Sequence, residues 1–456
     1  MQLKKIDLIR LNVYAPKIIL TLLFILYIAS SSFFAMKLNE GIIPDEPHHY
    51  QVSKLFSTTW GIPPDSPETV PFAGVNYKPF LFYWINARII NLLDLAFPTF
   101  TERVVLIILR LFGVLYSTIA VIFVYLFSKE IINNPWGQLF VVFLLTNTLM
   151  FTFLSGGLNY DTLFFLCSFA GIYYITRVFK GKAFYKNNVA WLFFILIGSL
   201  VKMTMLPLAA ITVLLWVVYL FKNYHAIDFR VSISLTTSFV VLLCVSLIGL
   251  NLFIYGGSII KYHTLTPSCT HIFTESQCEN YRLYIRDKAL LLENKLSFVD
   301  IMTGEYPDPI EYGLDYWPSL MLERIYGILG HRTYYPNITI FRLLFLWGIF
   351  LTIRYWEKPS FILGGAFIIF LFYLLVLFWT SYDTELFFGF KHVGIQGRYI
   401  FPVIGIFYTL LVYYYLKIPS NIIRILTFEF TTIIFIFYSP IIFLLRFYTN
   451  LSEWFM

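Results

Sequence analysis

Seven consecutive residues carry the densest potential chemistry in the chain: Pro44-Asp45-Glu46-Pro47-His48-His49-Tyr50. An adjacent carboxylate pair can divide labour. One acid takes a proton from an attacking hydroxyl while the other orients substrate or holds a metal ion. The plain alternative is a helix start, with Asp45 or Glu46 as cap and Pro47 in the first turn. That alternative accounts for an acid before Pro47, but not for two acids followed by two histidines. A second cluster, Gly394-Ile395-Gln396-Gly397-Arg398-Tyr399, places an arginine at the mouth of an apolar run. A guanidinium there either snorkels to the interface or clamps an anion such as phosphate, and the flanking glycines allow a ligand to approach the backbone. Lys202 stands alone in apolar sequence and poses the same choice. In Gly156-Gly157-Leu158-Asn159-Tyr160-Asp161, Asn159 suits a helix cap and Asp161 the first turn.

These residues must be positioned by membrane helices. Of 456 residues, 59% are hydrophobic, 20% aromatic and 13% charged, and the mean hydropathy is +0.73. A soluble chain carries about twice that charge, so lipid is the solvent. The net charge of +7 fits basic cytoplasmic loops better than a nucleic-acid partner. Apolar runs predict about eleven spans in an all-α polytopic fold, near 17–36, 104–127, 137–154, 159–178, 189–201, 203–221, 231–255, 338–353, 361–380, 399–416 and 424–446. The fifth and sixth form a tight hairpin. The stretch 79–97 holds Arg88 and Asp94, and it reads as a helix along the membrane surface. The first span is too long for a signal peptide.

Positive charge sets orientation. With the N-terminus inside, the inner segments hold 15 lysines and arginines, among them Lys4, Arg177, Lys180, Arg230 and Arg424, in roughly 60 positions. The outer segments carry a similar number in roughly 190 positions. This density difference predicts N-in, C-out. The chain then reads as one transmembrane domain, 1–456, with outer segments 37–103, 257–337 as a cap, and 381–398. Asp45, Glu46, His49, Asp161, Lys202, His331, Gln396 and Arg398 all fall on the outer side. One shared cavity at that boundary, lined by Asp45, Lys202 and Arg398, is therefore expected. Cys269 and Cys278 share the cap and are either bridged or free thiols. Cys167 and Cys244 fall in helices as inert core residues.

The motifs P-D-E-P-x-H after the first span, N-Y-D at 159–161, V-K-M-T-M-L-P at 201–207 and Q-G-R-Y-x-x-P at 396–402 together resemble a bacterial membrane family of unknown function. That family is grouped with the GT-C glycosyltransferases, which include protein O-mannosyltransferases and lipid A aminoarabinose transferases. The resemblance covers nearly the whole chain. It implies an acidic catalytic pair at Asp45 and Glu46 in the first outer loop, in a bacterial plasma membrane with the active site facing outside. It also implies a sugar donor carried on polyprenyl phosphate in the outer leaflet, and an acceptor that is a glycan, lipid or protein. His49, Asp161, Lys202, Gln396, Arg398 and Tyr399 are the expected substrate contacts. Metal dependence stays open, with Glu46 and His49 as the ligands if an ion binds. A transporter or flippase would place polar groups at midplane on broken helices in repeated halves, and neither feature is evident. A polymerase or ligase of lipid-linked glycans would share the outer site.

Overall fold

The computed structural model describes residues 2–226, 235–291, 296, 298–303, 306–330 and 332–455. Arg230 and His331 lie outside the described residues. The described chain is predominantly helical, with almost no strand. Eight helices are long and apolar enough to cross a membrane, or up to ten if each of two bent pairs is one span. The first nine helices are α1 (Gln2–Lys37), α2 (Glu46–Ser57), α3 (Leu81–Ala96), α4 (Glu102–Ile131), α5 (Pro135–Thr146), α6 (Leu149–Ser155), α7 (Asp161–Phe179), α8 (Phe184–Val201) and α9 (Met205–Asn223). Further apolar helices run over Thr237–Tyr262, Phe361–Phe388 and Gly397–Leu416.

Two expected spans are broken. α5 and α6 meet at 67°. At that break Asn147 and Thr148 turn their side chains back onto the carbonyls of Phe143 and Leu144, and such backbonding competes with the helix ladder. Asn421–Phe437 and Pro440–Asn450 meet at 42°, where Pro440 cannot continue the ladder and Ser439 caps the new helix. The expected span near 338–353 forms the 16-residue helix Thr339–Arg354. At 1.5 Å per residue it reaches ~24 Å, short of a full bilayer crossing.

Among the eight spans, α7 and Gly397–Leu416 are the most enclosed. α7 packs on α4, α8, α9, Phe361–Phe388 and Gly397–Leu416. Both of these central helices begin at the same end of the molecule. There, α2 and α3 pack on each other, and α3 buries Phe82, Asn86, Ala87 and Ile90. The 269–278 segment folds over the same end. Cys269 and Cys278 are disulfide-bonded and pack with Ala73, which joins the 37–103 segment to the 257–337 segment. A short antiparallel pair, Ile328–Leu329 with Arg332–Thr333, lies near the end of the 257–337 segment. Trp454 is buried against Phe153 and Tyr334. Its carbonyl accepts a hydrogen bond from Asn39 N at 2.8 Å, so the 451–455 segment is stitched to the loop after α1.

Candidate functional site

A buried ion pair fixes the acidic turn. Arg110, in the third turn of α4, donates from Nε to Glu46 Oε1 at 2.8 Å and from Nη2 to Glu46 Oε2 at 2.6 Å. Its Nη1 also binds the carbonyls of Ala35 and Leu38, at 3.1 and 2.7 Å. The N–H of Leu158 donates to Glu46 Oε1 at 3.0 Å. The two side chains are 1% and 0% exposed. Glu46 therefore has no accessible oxygen for substrate or metal. It joins the end of α1, the start of α2 and the 156–161 turn, which corrects its expected place as the second catalytic acid. Gly156 and Gly157 let that turn close, since a Cβ would meet Phe34 Cβ at 2.6 Å and Ile43 Cγ2 at 2.5 Å.

Asp45 behaves differently. Its backbone is left-handed, with φ of 62°, and its side chain makes no capping hydrogen bond. Asp and Asn tolerate that conformation better than most residues. The strain turns the carboxylate away from the helix end and onto Arg398, whose Nη2 donates to Asp45 Oδ2 at 2.7 Å. So neither acid caps α2. Burial raises the Asp45 carboxyl, but the Arg398 charge and hydrogen bond outweigh it and hold the group below the usual carboxylate range.

Arg398 comes from the tight turn Gly397–Ile400 that opens one central helix. A Cβ on Gly397 would meet the Arg324 carbonyl carbon at 2.7 Å, and one on Gly394 would meet Thr384 Cγ2 at 2.7 Å. These glycines thus admit close protein packing, where a ligand's approach was expected. Asp161 opens the other central helix. Its Oδ1 accepts from Lys202 Nζ at 2.6 Å, and its Oδ2 lies 3.7 Å from Arg398 Nε. Lys202 sits at the break between α8 and α9, with Nζ 4.6 Å from the Tyr160 ring and 4.8 Å from the Tyr399 ring. The result is an alternating chain, Asp45–Arg398–Asp161–Lys202. Asp45 is 53% exposed, whereas the other three side chains are 11% exposed or less. It is the member of the chain within reach of an incoming group.

Two cavities flank this chain in place of the single one expected, and Asp45 lines neither of them. The larger, about 300 Å³, is walled by Lys202, Tyr160, Tyr83, His48 and Lys78 with apolar neighbours. The smaller, about 220 Å³, is walled by Arg398, Gln396, Arg324 and His392 with Met150 and Leu154. Asp161 stands between Lys202 and Arg398, so the two cations face different spaces. Burial lowers the Lys78 ammonium to about 8, against the pull of Asp65. His48 is lowered by burial and by Lys78, with Asp45 opposing.

His49 is buried. Its Nδ1 lies 3.0 Å from Tyr83 Oη, and its ring packs 4.6 Å from that of Tyr160. Burial and His48 push it down to about 3 despite Asp45, so it is a neutral imidazole at physiological pH. It backs the larger cavity and does not reach into it, which corrects the expected direct contact. Among the described residues, no group of three His, Cys, Asp or Glu side chains converges to hold a metal ion. Glu46 and His49 in particular have other partners. Four residues at this end had no assigned role from sequence: Arg110, Tyr83, Lys78 and Arg324. The one available signal was the charge of Arg110 inside V-V-L-I-I-L-R-L-F-G, since an ionisable group within a span needs a partner.

No protein-family model matches the chain, and no curated protein matches it.

Proposed function

We propose that this chain is a GT-C-like membrane glycosyltransferase. It moves a sugar from a polyprenyl-phosphate carrier to an acceptor hydroxyl on the outer face of a bacterial inner membrane, with inversion. The supporting observation is the position of Asp45, a reachable carboxylate at the head of a buried chain of alternating charges. Asp45 accepts the proton of the acceptor hydroxyl. The freed oxygen pair attacks the anomeric carbon, and the bond from that carbon to the phosphate oxygen breaks with its electrons going to phosphate. Attack opposite the leaving group inverts the centre through an oxocarbenium-like state. Arg398 and Lys202 supply positive charge for the departing phosphate. Asp161 and Glu46 act as positioning residues, because each is buried and already bonded to a cation. Tyr160 and Tyr399 shape the walls around Lys202. The direct test is incubation of the purified protein with labelled polyprenyl-phosphate sugars and a panel of acceptors. Transfer is expected, and its absence across the panel with correctly folded protein would reject the reading.

In this reading about eleven spans cross the membrane, N-in and C-out. Each bent pair counts once, and Thr339–Arg354 crosses where the bilayer thins locally. α7 supports the placement of the site. Asp161 opens it, and Lys180 at its far end, with Lys182, pairs with Glu130 at 2.7 and 3.1 Å. The 19 residues of α7 put roughly 28 Å between the acid and this basic cluster, so a cytoplasmic cluster entails an outer site. A cysteine replacing Phe184 is therefore expected to stay shielded from an impermeant thiol reagent in intact cells, while one replacing Glu311 should label. The reverse pattern would place the site inside.

A further inference from the structure

The smaller cavity is built as an anion site that deepens the phosphate contact proposed above for Arg398, adding Arg324, to which sugar transfer assigns no role. Arg324 and Arg398 both wall it, and no described acidic side chain does. Arg398 is 9% exposed, and its Nε, which makes no hydrogen bond, lies 3.7 Å from Asp161 Oδ2. Arg324 donates Nη2 to the His392 carbonyl at 3.1 Å, which steadies a guanidinium that has further donors to offer. The contact between Gly397 and the Arg324 backbone brings the two arginines together. The acids that balance them stand outside the lining. Asp45 holds Arg398 from one side. Glu385 is buried and accepts from His392 N at 2.9 Å. The volume, about 220 Å³, falls below the roughly 300–1,000 Å³ of sites for drug-sized ligands, and suits a headgroup more than a whole ligand. Planar guanidiniums match phosphate oxygens in bidentate fashion.

The geometry points to a phosphate-binding subsite formed by Arg324 and Arg398, at which the bound anion displaces Asp45 from Arg398. The ligand class is a phosphate ester or free phosphate. The exchange has a chemical consequence. While paired with Arg398, Asp45 is a weak base and its carboxylate is partly occupied. Once an anion takes the guanidinium, the carboxylate is released towards water. The subsite stands whether or not sugar is transferred.

The experiment measures binding to the purified full-length chain in detergent of three probes: a short-chain prenyl phosphate, the matching prenyl alcohol and inorganic phosphate. The prenyl phosphate should bind more tightly than the alcohol. Arg324→Gln should weaken it about tenfold or more, the loss of charge-assisted hydrogen bonds, and Arg324→Lys should recover part of that. Asp45→Asn should tighten binding several-fold, because the competitor for Arg398 has lost its charge. Gln396→Glu, which adds an acid to the lining, should weaken it and serves if Arg324→Gln fails to fold. Competition by inorganic phosphate would identify a site open to the free anion, and its failure to compete would identify a lipid-borne one. Equal affinity for phosphate and alcohol, or an unchanged affinity in both folded Arg324→Gln and Gln396→Glu proteins, would overturn the subsite. Unchanged affinity in Asp45→Asn would overturn the displacement. Since no probe carries a sugar, loss of the subsite and loss of the transferase reading register separately.

Discussion

Asp45→Asn is expected to slow sugar transfer by about a hundredfold or more, the usual cost of losing a general base, while the protein stays folded. An amide cannot take the acceptor's proton. The backbone conformation at 62° is one that asparagine also adopts readily. No cap is lost, since the Asp45 side chain provides none. Arg398 keeps a carboxylate nearby, with Asp161 Oδ2 at 3.7 Å from its Nε. Initial rates of transfer, read beside the unfolding temperature in detergent, check both halves. A variant with near-normal turnover would remove Asp45 from the mechanism. Glu46 and Asp161 are buried and bonded elsewhere, so this cluster would then hold no acid able to replace it.

Glu46→Gln should have the opposite profile, with a large loss of stability. Removing one member of a buried pair leaves an uncompensated charge and typically costs about 3–5 kcal/mol. Here the stranded group would be Arg110, which is 1% exposed. Arg110→Met should be comparably damaging, and combining the two changes should cost less than their sum, because both break one interaction. Denaturation midpoints in detergent distinguish the cases. A Glu46→Gln protein as stable as the wild type yet inactive in transfer would return Glu46 to the chemistry.

Much of the membrane architecture was legible, and the reason is physical. Apolar runs of about twenty residues have few soluble uses, so the helices lie close to where hydropathy places them. Bends were harder to see. Asn147 and Thr148 end one helix and begin another at 67° through side chain to backbone bonds that leave no mark on an average over the run. The grouping of Asp45, Asp161, Lys202 and Arg398 was legible in outline, because charges at membrane depth are costly and all fell on one side. The roles within the group were not. Asp45 and Glu46 are neighbours of the same type, and what separates them is a single positive φ and an arginine 64 residues away. The division into two cavities was equally hidden, since it depends on Asp161 lying between Lys202 and Arg398.

The seam between the loop after α1 and the 451–455 segment has a consequence for biogenesis. Asn39 N binds the Trp454 carbonyl, Leu38 bridges Phe455, and the Trp454 ring fills the space beside Gly330, where a Cβ would meet it at 2.7 Å. Gly330 in turn walls the smaller cavity. The surface that braces the acidic turn is translated more than 400 residues after it. Helices can enter the bilayer one after another as they are made, yet this end of the molecule cannot lock until that late segment arrives. Nascent chains halted before Leu451 would already be threaded through the membrane with this end unfinished.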